Sequence, residues 1–395
     1  MARAAGSVPM TAAVSGARGA LLPLAAALAL PLVLVSLPLL HLAPNRLVTG
    51  APIAAATVLG FRLWPLLALA AIGPALVVSG RGRAGTWLGL FACTGGLALL
   101  LTGLGAGAAE HLAGQPPAAR ARLAAGAWLA GLGLCAGILW GMRASRLPAA
   151  GWLSALAILA LIAGLGAAGA LDALSFTVEF RARRDGLARA VLEHLALSGG
   201  ALVLAGLVTA ALGTWRRGRG AVDLLVGGVQ VVPAVALLGG LVAAASAGLA
   251  LVPSLRAYGI SALGAGPALV GIAGYLLLPL WRGLQGALRA PDPAALDAAR
   301  ALGLTPRQIL TTLRLPLGAG LLIGGLRVAA VQALGLATLA PLVGAGGLGR
   351  LVFDGMAQFA PDLILLGALP VIALSLAAES ALGTVEAAAR RRWPS

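Results

Sequence analysis

Few side chains in this sequence could do chemistry, and their spacing rules out most of it. His41, His111 and His194 stand far apart, with no HExxH pattern and no carboxylate in register, so they read as interfacial or loop residues rather than metal ligands. Cys93 and Cys135 lie inside apolar runs without CxxC spacing and read as small packing residues. All 28 basic residues are arginine, and a chain without lysine cannot form a GxxxxGK[ST] phosphate loop. "GAGGLG", residues 344–349, follows an apolar run with no strand before it. Gly344, Gly346 and Gly347 therefore read as a tight turn or gate rather than a nucleotide loop. No metal or cofactor is implied.

One stretch does carry a pattern. "LDAARALGLTPRQILTTLRLP", residues 296–316, is charged and punctuated by proline between two apolar runs. Its spacing predicts a short helix capped by Asp292, with Pro293 at the first position and Gly303 as a stop whose positive φ turns the chain. A second helix is predicted to follow, capped by Thr305 with Pro306 at its first position, and to break before Pro316. The first helix, about 15 Å long, is too short to span a membrane. It is shaped to lie across a surface and enter a groove in another protein. Asp297 stands mid-helix to meet a donor there, and Ala298 and Ala299 are small enough to allow close approach.

The elements that must hold this segment are apolar throughout. With 60% hydrophobic and 10% charged residues and a mean hydropathy of +0.99, the chain reads as an all-α, polytopic helical membrane protein whose first partner is the lipid bilayer. About ten spans of roughly bilayer length can be marked: 21–42, 62–80, 86–107, 123–142, 150–171, 196–215, 222–246, 264–284, 319–342 and 363–385. The first is too long for the apolar core of a signal peptide and no clear cleavage site follows, so it reads as an uncleaved anchor.

The +16 formal charge does not imply nucleic acid, because the arginines sit in short clusters between apolar runs and form no continuous basic face. Counted on alternate loops, they set orientation instead. Seventeen lie on one side (the N-terminus with Arg3 and Arg18, Arg81, Arg83, Arg143, Arg146, Arg216, Arg217, Arg219, the 282–314 region and the 390–392 tail) against ten on the other. Both termini and the 296–316 segment are therefore expected to be cytoplasmic. "FRARRDGLAR", residues 180–189, falls on the minority side and reads as the start of an amphipathic segment at the interface before the sixth span.

Residues 1–175 form a first region of five spans with few polar side chains, and 176–395 a second region holding most motifs. Within the second, Gln230, Tyr275, Gln332 and Thr338 interrupt apolar helices, as interhelical hydrogen-bonding groups or as pathway-lining ones. Arg327 and Glu379 lie at matching depth in the last two spans and are expected to pair, unless Arg327 snorkels to the surface.

The motif Asp297-Ala298-Ala299, three residues, Gly303, nine residues, Leu313, one residue, Leu315-Pro316 resembles the "EAA" loop (here 286–318) of bacterial ABC importer permeases, with Asp for the usual Glu. "GVQVVPAVALL", which contains Pro233, "LRVAAVQALGLATLAPLVGAGGLGRLVFDGM" and "LILLGALPVIALSLAAESALG" are similar to permeases for glycine betaine, choline and related osmoprotectants. The likeness covers residues 190–388, and the additional five-span half resembles the longer permeases of the "Yeh" system. The resemblance implies a bacterial inner-membrane subunit with a C-terminal five-helix, type I permease core. It further implies a cytoplasmic ABC ATPase on the EAA loop, a second permease copy or paralogue, and a periplasmic solute-binding protein. With 4% aromatic residues the chain is poor in cation–π partners, which places high-affinity selection of a quaternary ammonium in the binding protein. Methionine or another amino-acid derivative is the nearest alternative solute, since related permeases share the loop. A secondary transporter is disfavoured by the lack of a visible internal repeat, and an intramembrane enzyme by the dispersal of the charges.

Overall fold

The structure, a computed structural model, describes residues 10–80, 82–147, 149–215 and 218–393. Arg3, Arg81, Arg216 and Arg217 of the arginine count lie outside the described residues. Among the described residues nine helices are long and apolar enough to cross a bilayer, and Leu22–Ser36 is a shorter apolar stretch. Each of the ten spans marked by hydropathy is helical over most of its length, but 21–42 ends in a strand, 150–171 outruns its helix and 222–246 is interrupted. The chain divides into two compact units, Met1–Ala182 and Arg183–Ser395.

The first unit runs α1 (Met10–Ser36), β1 (Leu40–Ala43), β2 (Ala51–Ile53), α2 (Ala55–Leu59), a 3-10 turn, α3 (Leu63–Ser79), α4 (Gly82–Leu112), β3 (Arg120–Leu123), α5 (Ala125–Ala144) and α6 (Ala150–Ala167). The three strands form an antiparallel sheet in the order β2-β1-β3, with Leu40 opposite both Ile53 and Leu123. Strands of three or four residues carry no readable alternation, so hydropathy draws most of β1 into the first span and leaves β2 and most of β3 as loop; they pair because backbone between spans must satisfy its own N–H and C=O groups. Arg122 ties the β1–β2 loop down, donating to Val48 O at 3.2 Å and to Arg46 O.

Leu34, Leu66, Leu100, Leu104 and Leu134 are fully buried in this unit's core. Glycine makes the close packing possible. A Cβ on Gly105 would lie 1.8 Å from Ala170 O and one on Gly107 2.4 Å from Val58 O, so α4 meets its neighbours at backbone distance. Cys93 is buried between Gly73 of α3 and Gly137 of α5, as a packing residue should be.

The first turns of α7 (Ser175–Thr214) belong to the first unit and its remainder to the second, followed by α8 (Arg219–Val231), α9 (Ala234–Leu251), a 3-10 turn and α10 (Ala265–Arg289). Then come α11 (Pro293–Ala301), α12 (Pro306–Gln308), a π-helical turn (Ile309–Arg314), α13 (Leu315–Leu317), α14 (Ala319–Leu336), a 3-10 stretch (Ala337–Val343), α15 (Gly349–Ala357) and α16 (Pro361–Arg392).

Three expectations change here. The 180–189 stretch is not a separate interfacial segment: α7 is one helix of 40 residues, because nothing in it stops propagation and Arg189 pairs with Glu193 one turn on at 3.0 Å. The seventh span, 222–246, is broken, with α8 ending at Val231 and α9 beginning after Pro233, whose missing N–H favours a break there. The second helix of the polar segment does not break before Pro316. It widens into the π turn and passes through that proline. Thr311 and Thr312 hydroxyls donate to Arg307 O and Gln308 O at 3.0 and 2.7 Å, occupying carbonyls that a regular α-helical ladder would use.

Gly105→Ala forces a methyl group onto the Ala170 carbonyl. It should cost about 1–3 kcal/mol of overpacking, read as a lower thermal transition of the detergent-solubilised chain, while Gly95→Ala, whose Cβ would meet only the far end of Leu69 at 3.9 Å, should leave the transition in place.

Candidate functional site

The polar segment is built as its sequence predicts at both helix starts. Asp292 accepts from Ala294 N at 2.8 Å to cap α11, and Thr305 and Gln308 form a reciprocal capping box at α12. Gly303 takes φ +76°, and nothing lies within 4 Å of a Cβ placed there. A side chain at this joint would therefore be opposed by backbone strain alone. Asp297 and Ala298 are exposed, and Asp297 accepts from Arg300 Nη1 at 2.7 Å.

Ala299 departs from expectation. It is 5% exposed, turned into its own chain rather than standing on the outer surface of α11. The outward apolar group is one the sequence reading passed over: Leu302, 80% exposed at the tip of the segment. Its signal was its place one residue before the stop glycine, where a solvated helix end would carry a polar residue. Leu315 and Pro316 are half-buried at the root of α14.

The flanking helices hold the segment at backbone range. A Cβ on Gly318 would sit 2.4 Å from Ala287 Cα, and one on Gly325 2.7 Å from Pro279 O, so α10 and α14 touch without side chains between them. α14 is joined to α16 by charge. Arg327 Nη1 lies 3.2 Å from Glu379 Oε1, and its Nε lies 3.3 Å from Glu386 Oε2. The second contact is off the N–H direction and is Coulombic rather than a hydrogen bond. Arg390 completes the group with bonds of 3.0 and 2.8 Å to Glu386 Oε1. The expected Arg327–Glu379 pair is present, and Glu386, missed in the sequence because it sits near the arginine tail, is its most buried member at 11% exposure.

Among the polar residues set in apolar spans, Gln230 and Tyr275 come together at the Pro233 break. Gln230 Nε2 donates to Tyr275 O at 2.6 Å, and the Tyr275 hydroxyl donates to Val232 O, which lies in the gap between α8 and α9. The void beside them, lined by Leu238, Ile272, Tyr275 and Leu336 among others, is about 10 Å³, room for little more than a water. Thr338 donates within its own helix to Gly335 O at 2.6 Å, and Gln332 is half-buried on α14. Neither is brought to the Pro233 break.

The 344–349 turn is a packed corner. Gly344 and Gly347 take φ +83° and +102°, a Cβ on Gly346 would lie 2.0 Å from Glu193 Oε2, and Gly347 N donates to that same oxygen at 3.1 Å. His194 beside it corrects the reading of an interfacial histidine: it is fully buried, with Nε2 3.0 Å from Leu334 O. Leu334 lies where α14 tightens into 3-10 geometry, a place where an α-helical carbonyl loses its partner.

Residues 17–177 match the family described as ABC transporter permease YehY, N-terminal domain, and residues 202–391 match the binding-protein-dependent transport system inner membrane component. The chain is similar to the carnitine transport permease protein OpuCB of Listeria monocytogenes, at 39% identity over 35% of this chain and 65% of that one, just under two thirds of its length. It is similar to the choline transport system permease protein OpuBB of Bacillus subtilis (strain 168), at 30% identity over 49% of this chain and 84% of that one. The same identity and coverage hold for the glycine betaine/carnitine/choline transport system permease protein OpuCB of that strain. Among solved structures, the MetNI methionine ABC transporter in inward-facing conformations aligns at 21% identity and a TM-score of 0.44, over 51% of this chain and 95% of that one.

Glu386 faces two arginines and is the more buried carboxylate, so Glu386→Gln should lower the thermal transition of the purified chain by several degrees more than Glu379→Gln, because it leaves Arg390 without a carboxylate and Arg327 with Glu379 alone. Equal shifts would show that the two carboxylates contribute alike.

Proposed function

We infer function from one premise: the chain belongs to the inner-membrane components of binding-protein-dependent transport systems, the permease subunits of ABC importers. It is a transporter subunit, and ATP hydrolysis belongs to a separate chain. On that premise the 183–395 unit forms, with a second permease subunit, the pathway for an osmoprotectant carrying a quaternary ammonium, of the choline, carnitine or glycine betaine kind named for its relatives. A periplasmic binding protein delivers the solute. The arginine distribution supports an inner-membrane topology with both termini and the 286–318 loop in the cytoplasm.

The observation that carries the reading is the form of that loop. α11 is capped at its start by Asp292, stopped by the left-handed Gly303, and offers an outward surface of Asp297, Ala298 and Leu302. A connector needs no caps and has no use for an exposed leucine at its tip. We assign α11 as the coupling helix that docks in the ATPase. Ala299, Leu315 and Pro316 fix its shape from within, and the contact of α10 with α14 carries its motion into the bundle. In the same reading Gln230, Pro233 and Tyr275 form the hinge of the pathway, and Gly344, Gly346 and Gly347 its outer turn. The five N-terminal spans are an accessory region.

Burying a leucine is worth about 1.5–3 kcal/mol, so Leu302→Asp should weaken ATPase co-purification by roughly 10- to 100-fold and abolish solute-stimulated hydrolysis, with insertion and abundance unchanged. Gly303→Val should do the same through the joint. Wild-type transport by both variants would reduce the segment to a linker.

A chain beginning at Ser175 should still insert and still retain its ATPase, since α11 and the helices that hold it all lie beyond that point. Loss of ATPase binding by an inserted truncation would instead make the first five spans part of the coupling apparatus.

A further inference from the structure

We propose that the cavity behind the coupling segment binds one anionic phospholipid, its phosphate held by Arg219, Arg300 and Arg314 and its acyl chain laid along Leu284, Leu288 and Leu310. The cavity measures about 830 Å³ and lies wholly within the 183–395 unit, between the end of α7, the start of α8, the end of α10 and the α11–α13 segment.

Its charge is one-sided. Every charged side chain lining it is an arginine. Arg300 already shares one nitrogen with Asp297. Arg219 and Arg314 pair with no carboxylate among the described residues, and Arg219 Nε is buried without a hydrogen-bond partner. Guanidinium groups on the wall of one cavity repel one another, and a shared anion offsets that repulsion. Their flat fork of donors matches phosphate oxygens.

The remaining wall decides what kind of anion. A bare phosphate would occupy a small part of this volume and leave the leucine wall against water, whereas a phospholipid fills both parts. Leu284 and Leu288 stand on the last turns of α10, a helix apolar enough to cross the bilayer, so the apolar wall of the cavity continues a membrane-crossing helix. A basic pocket at a membrane face is the usual setting for such headgroups. The lipid would bridge the end of α7 to the root of the coupling helix. Its effect on hydrolysis rests on the coupling assignment above; its binding does not.

The test therefore reads binding first, on the purified full chain titrated with phosphatidylglycerol or with zwitterionic phosphatidylcholine, counting retained lipid by native mass spectrometry. One phosphatidylglycerol per chain should be retained, with phosphatidylcholine at least 10-fold weaker. Arg219→Gln combined with Arg314→Gln should weaken phosphatidylglycerol at least 10-fold. Leu288→Trp, which fills the apolar wall and leaves every charge in place, should weaken it similarly. Arg391→Gln combined with Arg392→Gln, on the exposed tail, should not. Each variant is read alongside its thermal transition, so that a fold defect is separated from a lost site. Full retention by both cavity variants would overturn the proposal. So would displacement by glycerol phosphate at equal affinity, which would make this a free-anion site. Stoichiometric expulsion of the lipid on ATPase binding would also overturn it and give the cavity to the protein interface. If the lipid binds as described and ATP hydrolysis is unchanged by its loss, the site stands and only its link to coupling falls.

Discussion

A backbone N–H or C=O that loses its helical partner inside a bilayer has no water to turn to, and the second half of this chain is organised around meeting that constraint wherever its helices are interrupted. At Pro233 the freed Val232 carbonyl takes the Tyr275 hydroxyl, and Gln230 reaches back to the Tyr275 carbonyl. At the end of α14 His194 sits on Leu334 O, and Glu193 accepts from Gly347 N in the following turn. Each interruption has its own polar partner, so each is a fixed joint rather than a fray.

The straight parts between the joints are locked by the opposite device, the removal of side chains. Gly318 and Gly325 bring α14 onto α10, while Gly324 and Gly383 leave room for the Arg327–Glu386 group between α14 and α16. Contact without intervening side chains is stiff, because interiors packed at this range do not deform continuously. In the coupling proposed for α11, this contact is what would pass a displacement on to α10 and α16.

Short-range rules were legible in the sequence where one residue type has one use. Asp292, Pro293, Gly303, Thr305 and Pro306 each sit where capping chemistry put them, and the spans followed from apolar run length. The misses share a cause. Ala299 facing inward, Leu302 facing outward and His194 buried depend on which way a helix is turned, and runs made of Ala, Leu and Gly have no polar face from which to read that rotation. The three-stranded sheet and Glu386's second arginine depend on partners distant in the chain. The helix through Pro316 was missed because the proline falls in the first turn of α13, after the π turn, where its absent N–H is tolerated.

The break at Pro233 also has an electrostatic side. Two helix ends stand one residue or two apart, the C-terminal end of α8 and the N-terminal end of α9, about 20 Å along from the start of α8. Each end carries roughly half an elementary charge, negative on the first and positive on the second. An unbroken span would have cancelled both. A chain with few aromatic rings thus still places a fixed dipole, made of peptide groups alone, within its apolar stretch.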